Sequence, residues 1–500
     1  MLSKLTSSLT SLLESLNVDV GKLIEIFQYS PSQPLLFNTS LFLLLFAGFI
    51  CIYRMLDRFR VIKMLFVILF SLYFYYKSSG LCVLILLGVC LSDYILGLWM
   101  ESVSRPGKEN SSVRRLIIFL NVGVNVGMLV YFKYFNLLID TITRFSSLKI
   151  EAMDLLLPAG ISFFTFRSIS YIADLYRGQI KACRNLLDYT FFLTFFPPLL
   201  AGPVVRAKDM LPQISSNPVA SREMVSEGIY LIILGLIKKV VIADFISGNF
   251  VDRVFDNPAL YSGFENMMAS FGFTIQLYCD FSGYSDIAIG IALLLGYRFK
   301  ENFNAPFKAQ NPTEFWHRWH ISLSTWLRDY VYIPLGGNRC SRSRAYFNQF
   351  ATMVIGGLWH GASWMYVIWG AAHGALLVIH KMSRKFIDAM LPQTVVSTPS
   401  EVVVVAVTPD KTAPWLRGIN MMVTFILISA TFILFRAPSM EDVGMMWHQI
   451  LFDFHPGVAP QFVESYLTIV LLIVVGYILH ITPASWGEKL KSMFLSLIHI

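Results

Sequence analysis

The sequence predicts an all-α, polytopic membrane protein in which about eleven transmembrane or re-entrant helices surround a central tunnel. Of its 500 residues, 55% are hydrophobic and only 14% are charged, whereas a soluble domain carries about 25% charged residues. Its 40 basic and 32 acidic side chains are too few to form the water-facing surface of a soluble chain of this length. This composition excludes a soluble enzyme, a disordered regulator and a secreted scaffold held by disulfides.

The residue pattern divides the chain into an N-terminal segment (1–34), a transmembrane core (35–482) and a C-terminal tail (483–500). Leucines recur at helical spacing in the first segment, which predicts an amphipathic helix at the membrane interface. We expect no cleavable signal peptide, because no charged start precedes a short apolar core. Within the core, residues 394–413 predict an exposed loop with a short strand at Val402–Val407.

Long apolar runs define the first spans of the core, because a helix needs ~20 apolar residues to cross ~30 Å of hydrocarbon. These runs are Leu35–Tyr53, Met64–Tyr76, Leu81–Met100 and Leu116–Ile139. Basic residues flank the second and third runs on both sides, which places both flanks in the cytoplasm. The net charge of +8 is explained by such cytoplasmic basic residues, which contact anionic lipid. We expect no nucleic-acid partner, since the chain has no zinc finger, RNP motif or basic helix.

Polar residues interrupt the apolar segments in the centre of the chain. Phe273–Leu295, for example, contains Asp280 and Asp286. Irregular backbone at membrane depth survives only when protein buries it or when it lines a wet cavity. We therefore expect broken or re-entrant helices around an internal cavity. The two carboxylates either carry ions or protons, or cap a broken helix and pair with Arg298 or Arg328.

Two of the nine histidines lie in contexts that favour chemistry. His320 lies in the run WHRWHISLS, and His360 lies in GGLWHGAS after a long hydrophobic run. An imidazole at membrane depth is costly unless it is paired or faces a wet cavity. Desolvation favours the neutral imidazole, which can take a proton from a hydroxyl. The alternative for each residue is a core histidine bonded to a carbonyl, and spacing alone leaves both interpretations open.

Other chemical signatures are missing from the sequence. None of the six cysteines forms a Cys-x-x-Cys pair, so we expect free thiols and no metal site. The chain has no Walker loop, no Gly-x-Ser-x-Gly elbow and no Gly-x-Gly-x-x-Gly run. Nucleotide hydrolysis and covalent serine catalysis therefore have no support.

Short motifs spread over the core resemble those of a known family. They are PAGISFFTF (158–166), FFPP (195–198), AGPVVR (201–206), LGLIKKVVIAD (234–244), YCDFSGYSD (278–286), ENFN (301–304), WHRWHISLS (316–324), YIPLGGNR (332–339), LWHG (358–361) and FRA (435–437). No single motif is specific, but together they are. In them the chain resembles the bacterial membrane-bound O-acyltransferases (MBOAT), in the alginate O-acetyltransferase branch.

This resemblance implies an enzyme and assigns its main residues. The match in LWHG implies that His360 is the catalytic base, and the match around His320 implies that it is the essential partner. The family branch implies a multi-pass protein of the bacterial inner membrane that takes acetyl groups from a cytoplasmic thioester, acetyl-CoA. It further implies that the acetyl groups reach hydroxyls of an exopolysaccharide, and that periplasmic acetyltransferase or export proteins complete the transfer.

Four residues near His320 are expected to bind the donor. The guanidinium groups of Arg318 and Arg328 could attract its phosphates, although cytoplasmic loop charge explains them equally well. Trp316 and Asn311, like His320, could donate a hydrogen bond to the oxyanion that forms during acyl transfer.

The sequence departs from the family's motifs at two positions, and three other functions are alternatives to the one that the resemblance implies. Arg167 stands where we expect Gln, and His317 stands where Arg is usual, which bears on the choice of substrate. The nearest alternative is an enzyme of the same superfamily that transfers D-alanine to teichoic acid. An alternative of another class is a secondary transporter that uses Asp280 and Asp286. A third is a catalytically silent member of a secretion complex.

Overall fold

The computed structural model confirms a helical membrane fold. It describes residues 20–104, 111–146, 150–390, 393–398, 401–406 and 413–498. The α-helices of these ranges are α1 Val20–Phe27, α2 Ser40–Met55, α3 Arg60–Ser79, α4 Val83–Ser102, α5 Ser112–Leu129, α6 Phe135–Phe145, α7 Ile161–Tyr176, α8 Leu186–Thr194, α9 Ala207–Ser215, α10 Arg222–Leu236, α11 Asp252–Asp256, α12 Gly263–Leu294, α13 Pro312–Arg318, α14 Ile321–Leu327, α15 Arg342–His360, α16 Trp364–Met390, α17 Pro414–Arg436, α18 Met440–Phe452, α19 Ala459–Ser465, α20 Leu467–Ile481 and α21 Ala484–Ile498. Wider π-helical turns occupy Val130–Tyr134, Ile237–Asp244, Ser247–Val251 and Arg328–Tyr332.

One β-hairpin lies between α16 and α17. Strand β1 (Gln393–Thr398) pairs antiparallel with β2 (Glu401–Ala406), in a register that joins Gln393 to Ala406. The predicted strand Val402–Val407 corresponds to β2, except that Val407 lies outside the described residues. Most of the predicted N-terminal amphipathic helix, residues 1–19, also lies outside them.

Several helices are long and apolar enough to cross a membrane. Among the described residues, four stretches meet this criterion, and a bent pair at 99° would add a fifth if it formed one span. They are Arg60–Ser102, Ser112–Phe145, Gly263–Leu294, Pro414–Arg436 and the pair Pro456–Ser465 with Leu467–Ile481. Large apolar side chains stand exposed on the first two, such as Leu81 at 76% and Phe119 at 73%. Lipid is the environment that such side chains require. The count of about eleven membrane elements remains a prediction from sequence length.

The chain folds as two compact units. The first comprises Met1–Phe132, Met153–Ala201 and Arg206–Val219. The second comprises Lys133–Ala152, Gly202–Val205 and Ala220–Ile500. Both predicted catalytic histidines belong to the second unit.

A buried carboxylate ties four helices of the first unit together. Asp93 of α4 is 1% exposed. Its Oδ1 accepts hydrogen bonds from Asn121 Nδ2 at 2.8 Å and from Ser168 Oγ at 2.7 Å. Its Oδ2 accepts from the hydroxyl of Tyr189 at 2.8 Å. Every partner comes from a different helix, α5, α7 or α8, so this carboxylate fixes their packing.

Arg167 also belongs to the packing of the first unit. Its guanidinium is buried and donates to the carbonyl oxygens of Phe192 at 3.4 Å, of Leu193 at 3.2 Å and of Pro198. Carbonyls at the end of a helix lack partners within it, and here α8 ends at Thr194. The unusual arginine therefore satisfies the end of a helix.

The break expected within Phe273–Leu295 is wrong, because Gly263–Leu294 is one continuous helix of 32 residues. Its carboxylates pair with lysines of the neighbouring π-helical segment, where Asp286 lies 2.7 Å from Lys238 and Asp280 lies 2.6 Å from Lys239. The expected partners are occupied elsewhere: Arg298 lies 3.6 Å from Glu227 and Arg328 lies 2.7 Å from Asp329.

Small residues complete the continuous packing of α12 on α10. A Cβ atom added at Gly283 would lie 2.7 Å from the carbonyl oxygen of Gly235, and one at Gly290 would lie 2.6 Å from that of Gly228. The two backbones thus approach more closely than any side chain permits. Paired charges and small residues, which look like a break in the sequence, keep this helix whole.

Candidate active site

His360 is the last residue of α15. The helix ends there because Gly361 adopts extended backbone, and a Cβ atom at position 361 would collide with the ring of Tyr366. The imidazole packs edge-on against three aromatic rings, with centroid distances of 4.8 Å to Trp359, 5.0 Å to Trp369 and 5.1 Å to Phe435. The residue is nevertheless partly exposed, so His360 is not sealed in the core.

Two side chains hold the end of the helix that carries His360. Lys133 Nζ donates to the carbonyl oxygen of Trp359, and the hydroxyl of Tyr134 donates to that of Leu358 at 2.8 Å. The last carbonyls of a helix need such partners from outside it. The ammonium group also favours the negative end of the helix dipole.

The ring nitrogens of His360 remain available for chemistry. In the described part of the chain, neither nitrogen makes a hydrogen bond, and the contacts of the ring are aromatic. A core histidine in a structural role would be bonded at one or both nitrogens. The geometry thus favours the proton-transfer interpretation of His360 over the structural one.

His320 lies beside this site and is fully buried. It precedes α14 in a left-handed conformation with φ of +43°, which is uncommon for a residue with a side chain. Its Nδ1 lies 3.1 Å from Oδ1 of Asn302. Its Nε2 is buried and has no hydrogen-bond partner among the described residues.

The fold brings the two predicted histidines together. The ring of Trp359 contacts both, with centroid distances of 5.7 Å to His320 and 4.8 Å to His360. A charge on His360 would act electrostatically on His320. Two residues 40 positions apart in the chain therefore lie on one aromatic ring, His360 at the end of α15 and His320 just before α14.

A cavity of about 320 Å³ opens next to this aromatic cluster. Its lining residues are Thr313, Trp316, His317, Ile321, Ser324, Thr325, Leu327, Arg328, Tyr332, Asn338, Gln349, Thr352, Met353, Leu377 and Lys381. Trp369 connects the cavity wall to the histidines, since its ring contacts Trp316 at 5.9 Å and His360 at 5.0 Å. The cavity combines an apolar wall with cationic groups, as a pocket for a charged organic ligand does.

Of the four residues expected to bind the donor, Trp316 and Arg328 line this cavity. The side chain of Arg328 is 59% exposed beside Asp329. The indole of Trp316 donates to Nδ1 of His373 at 3.3 Å, so its N–H is already engaged. His373 in turn contacts Thr431 through Nε2 at 3.0 Å, which makes it a packing residue.

Arg318 and Asn311 are engaged in the local helix α13. Asn311 caps its start by accepting a hydrogen bond from the backbone N–H of Glu314 at 2.9 Å. Arg318 lies 2.9 Å from the carboxylate of Glu314, one helical turn away. Both side chains therefore stabilise helix α13 through Glu314.

The supporting residues of the site, Asn302 and Lys133, were not predicted from the sequence. Asn302 lies within a resembling motif, but nothing in its spacing connects it to His320. Lys133 had a visible signal, because a lysine inside the apolar run Leu116–Ile139 needs a buried partner. In the described ranges, no group of three or more His, Cys, Asp or Glu side chains could hold a metal ion.

The chain belongs to the family of membrane-bound O-acyltransferases, as its similarity to known proteins shows. A sequence model of the membrane-bound O-acyltransferase (MBOAT) family matches residues 180–423. This range includes both histidines and Asn302. Membership makes the protein an O-acyltransferase of the multi-pass membrane type.

The chain is similar in sequence to several individual enzymes of this kind. The chain is 38% identical to a probable alginate O-acetylase AlgI of Pseudomonas aeruginosa, over 84% of this chain and 75% of the relative. It is 34% identical to a peptidoglycan O-acetyltransferase of Helicobacter pylori, over 82% of this chain and 78% of the relative. It is 31% identical to a teichoic acid D-alanyltransferase of Bacillus subtilis, over 45% of this chain and 60% of the relative.

Proposed function

We propose that this protein transfers acetyl groups from a cytoplasmic thioester, acetyl-CoA, to hydroxyls of an alginate-like exopolysaccharide or to a periplasmic acetyl-accepting partner. It works in the bacterial inner membrane. The observation that carries the proposal is that two histidines with unbonded ring nitrogens, one buried and one partly exposed, contact the same ring of Trp359. The relatives named for O-acetylation support the acetyl group as the cargo.

His360 is the general base of the proposed reaction. One of its nitrogens takes the proton of the acceptor hydroxyl while the hydroxyl oxygen attacks the thioester carbonyl. The new C–O bond forms, the C–S bond breaks, and the proton passes to the sulfur of the leaving thiol. Positioned general bases typically contribute ~10²–10⁴-fold to such rates.

The cavity beside Trp316 is the proposed site of the donor's thioester arm. Its cationic groups, Arg328 and Lys381, suit the phosphates of coenzyme A, and its apolar wall suits the arm. The ring of Trp369 lies between this wall and His360, since it contacts both Trp316 and His360.

Peptidoglycan is a second candidate acceptor, because the Helicobacter pylori relative is similar over most of both chains. The D-alanyl alternative is weaker, since similarity to those enzymes covers only about half of this chain. The chemistry at the histidines would be the same for each acceptor.

Transfer of labelled acetyl groups by the purified full-length protein tests the proposal. We expect label from acetyl-CoA to appear on alginate or on peptidoglycan fragments, and each acceptor is supplied separately. His360→Ala should reduce transfer by ~10²–10⁴-fold, because it removes the base. The control His448→Ala changes an exposed histidine outside the site and should transfer at the wild-type rate.

Two results would overturn the proposal. Wild-type transfer by His360→Ala would exclude His360 as the base. Labelling from a D-alanyl thioester, with none from acetyl-CoA, would replace the acetyl donor.

A further inference from the structure

The side-chain amide of Asn302 is held in one orientation. Residue 302 is buried, and its Oδ1 accepts the backbone N–H of Ser322 at 3.2 Å. Its Nδ2 donates to Oγ of Ser285 at 3.1 Å. A backbone N–H can only donate, so the atom that faces Ser322 must be the amide oxygen.

A second hydrogen bond agrees with this orientation. Oγ of Ser322 accepts from the backbone N–H of Val204 at 2.9 Å and donates to Oδ1 of Asn302 at 2.8 Å. Oδ1 therefore acts only as an acceptor.

The orientation of Asn302 sets the proton on His320. Since Oδ1 accepts, Nδ1 of His320 at 3.1 Å must be the donor. A neutral imidazole carries one N–H, so Nε2 has a lone pair and no proton. That lone pair is buried and has no partner in the part of the chain that the structure describes. Buried acceptors without partners are rare and costly, and they point to a group that a ligand completes.

We propose that Asn302 is a positioning residue, which holds His320 with its proton on Nδ1 so that Nε2 accepts a hydrogen bond from an O–H or N–H group of the bound substrate. This inference rests on the proposed function and changes one expectation from the sequence. Neutral His320 cannot donate to the oxyanion, because its one proton is directed to Asn302. The thioester carbonyl has no proton to donate, so it cannot be the hydrogen-bond partner of Nε2 while His320 is neutral.

The protonation state can be measured without any assay of activity. Full-length protein labelled with ¹³C and ¹⁵N in its histidines, in detergent micelles, is compared with His320→Gln to assign the signal of His320. We expect the Nδ1–H form in the free protein. We also expect a shift of the Nε2 resonance when the substrate that donates to it is added, either desulfo-coenzyme A or polysaccharide. An Nε2–H form in the free protein would overturn the inference, even if acetyl transfer is found.

Variants of Asn302 test the consequence for catalysis. Asn302→Leu removes the acceptor and should lower kcat by roughly tenfold or more, because His320 is then no longer held with its proton on Nδ1. Asn302→Asp keeps an acceptor and adds a negative charge, which favours the charged imidazolium. It should retain the Nδ1–H form and move the acidic limb of the pH–rate profile to higher pH.

The matched control is Asn266→Leu, a buried asparagine of α12 that bonds to the backbone carbonyl oxygens of Pro258, Tyr261 and Ser262. It should lower the unfolding temperature while kcat per folded molecule and the pH profile stay unchanged. If both asparagine variants behave alike, Asn302 serves packing only and the inference fails.

Discussion

Two sets of polar atoms, the carboxylate oxygens of Asp93 in the first unit and the imidazole nitrogens of His320 and His360 in the second, differ in whether hydrogen bonds occupy them. Both oxygens of Asp93 in the first unit are occupied by donors from three other helices. In the second unit, Nε2 of His320 and both nitrogens of His360 have no partner among the described residues. A buried carboxylate with both oxygens bonded stabilises the fold, whereas the buried and unbonded Nε2 of His320 is costly unless a substrate uses it. The difference distinguishes a structural carboxylate from two candidate catalytic imidazoles.

The largest effect on stability is expected at Asp93, the buried carboxylate of the first unit. Asp93→Ala removes three hydrogen bonds and leaves their donors buried, so we expect a loss of about 2–3 kcal/mol in the free energy of unfolding. Thermal unfolding in detergent measures the loss, and kcat per folded molecule should stay near wild type. A large fall in kcat without loss of stability would place Asp93 in the chemistry.

A loss of turnover is expected at His320. His320→Ala should lower kcat per folded molecule by at least about tenfold, because a positioned partner of the base is lost. The unfolding temperature should also fall, because the ring is fully buried and its Nδ1 is bonded to Oδ1 of Asn302. Unaltered turnover would make His320 a packing residue and would remove one half of the comparison.

The smallest effect is expected at the support of α15. Tyr134→Phe deletes only the hydroxyl that donates to the carbonyl oxygen of Leu358. The loss of one hydrogen bond should cost about 1 kcal/mol of stability. Transfer should fall only a few-fold, since Lys133 still holds the carbonyl of Trp359. A loss as large as that of His360→Ala would show that the hydroxyl itself takes part in the reaction.

The fold class and the histidine pair could be predicted from the sequence. Apolar runs of membrane length are local features, and the motifs around His320 and His360 are distinctive. The continuity of α12 could not be predicted, because Asp280 and Asp286 look like a break until Lys238 and Lys239 appear beside them.

The role of the supporting residues depends on the fold in the same way. Asn302 meets His320 only because the chain turns back before α14, and no spacing in the sequence shows this contact. Arg167 suggested a change of substrate, yet its guanidinium binds carbonyl oxygens at the end of α8. A polar residue in an apolar run indicates that a partner exists, but only the fold shows which partner it is.

A double-variant cycle at His320 and His360 tests the central claim, that both residues form one catalytic site. Residues that act as a unit are strongly non-additive, because removing either one already abolishes what they do together. We predict that His320→Ala/His360→Ala transfers labelled acetyl at the same residual rate as His360→Ala alone. Multiplication of the two single losses would show that the histidines act independently, and it would contradict the account.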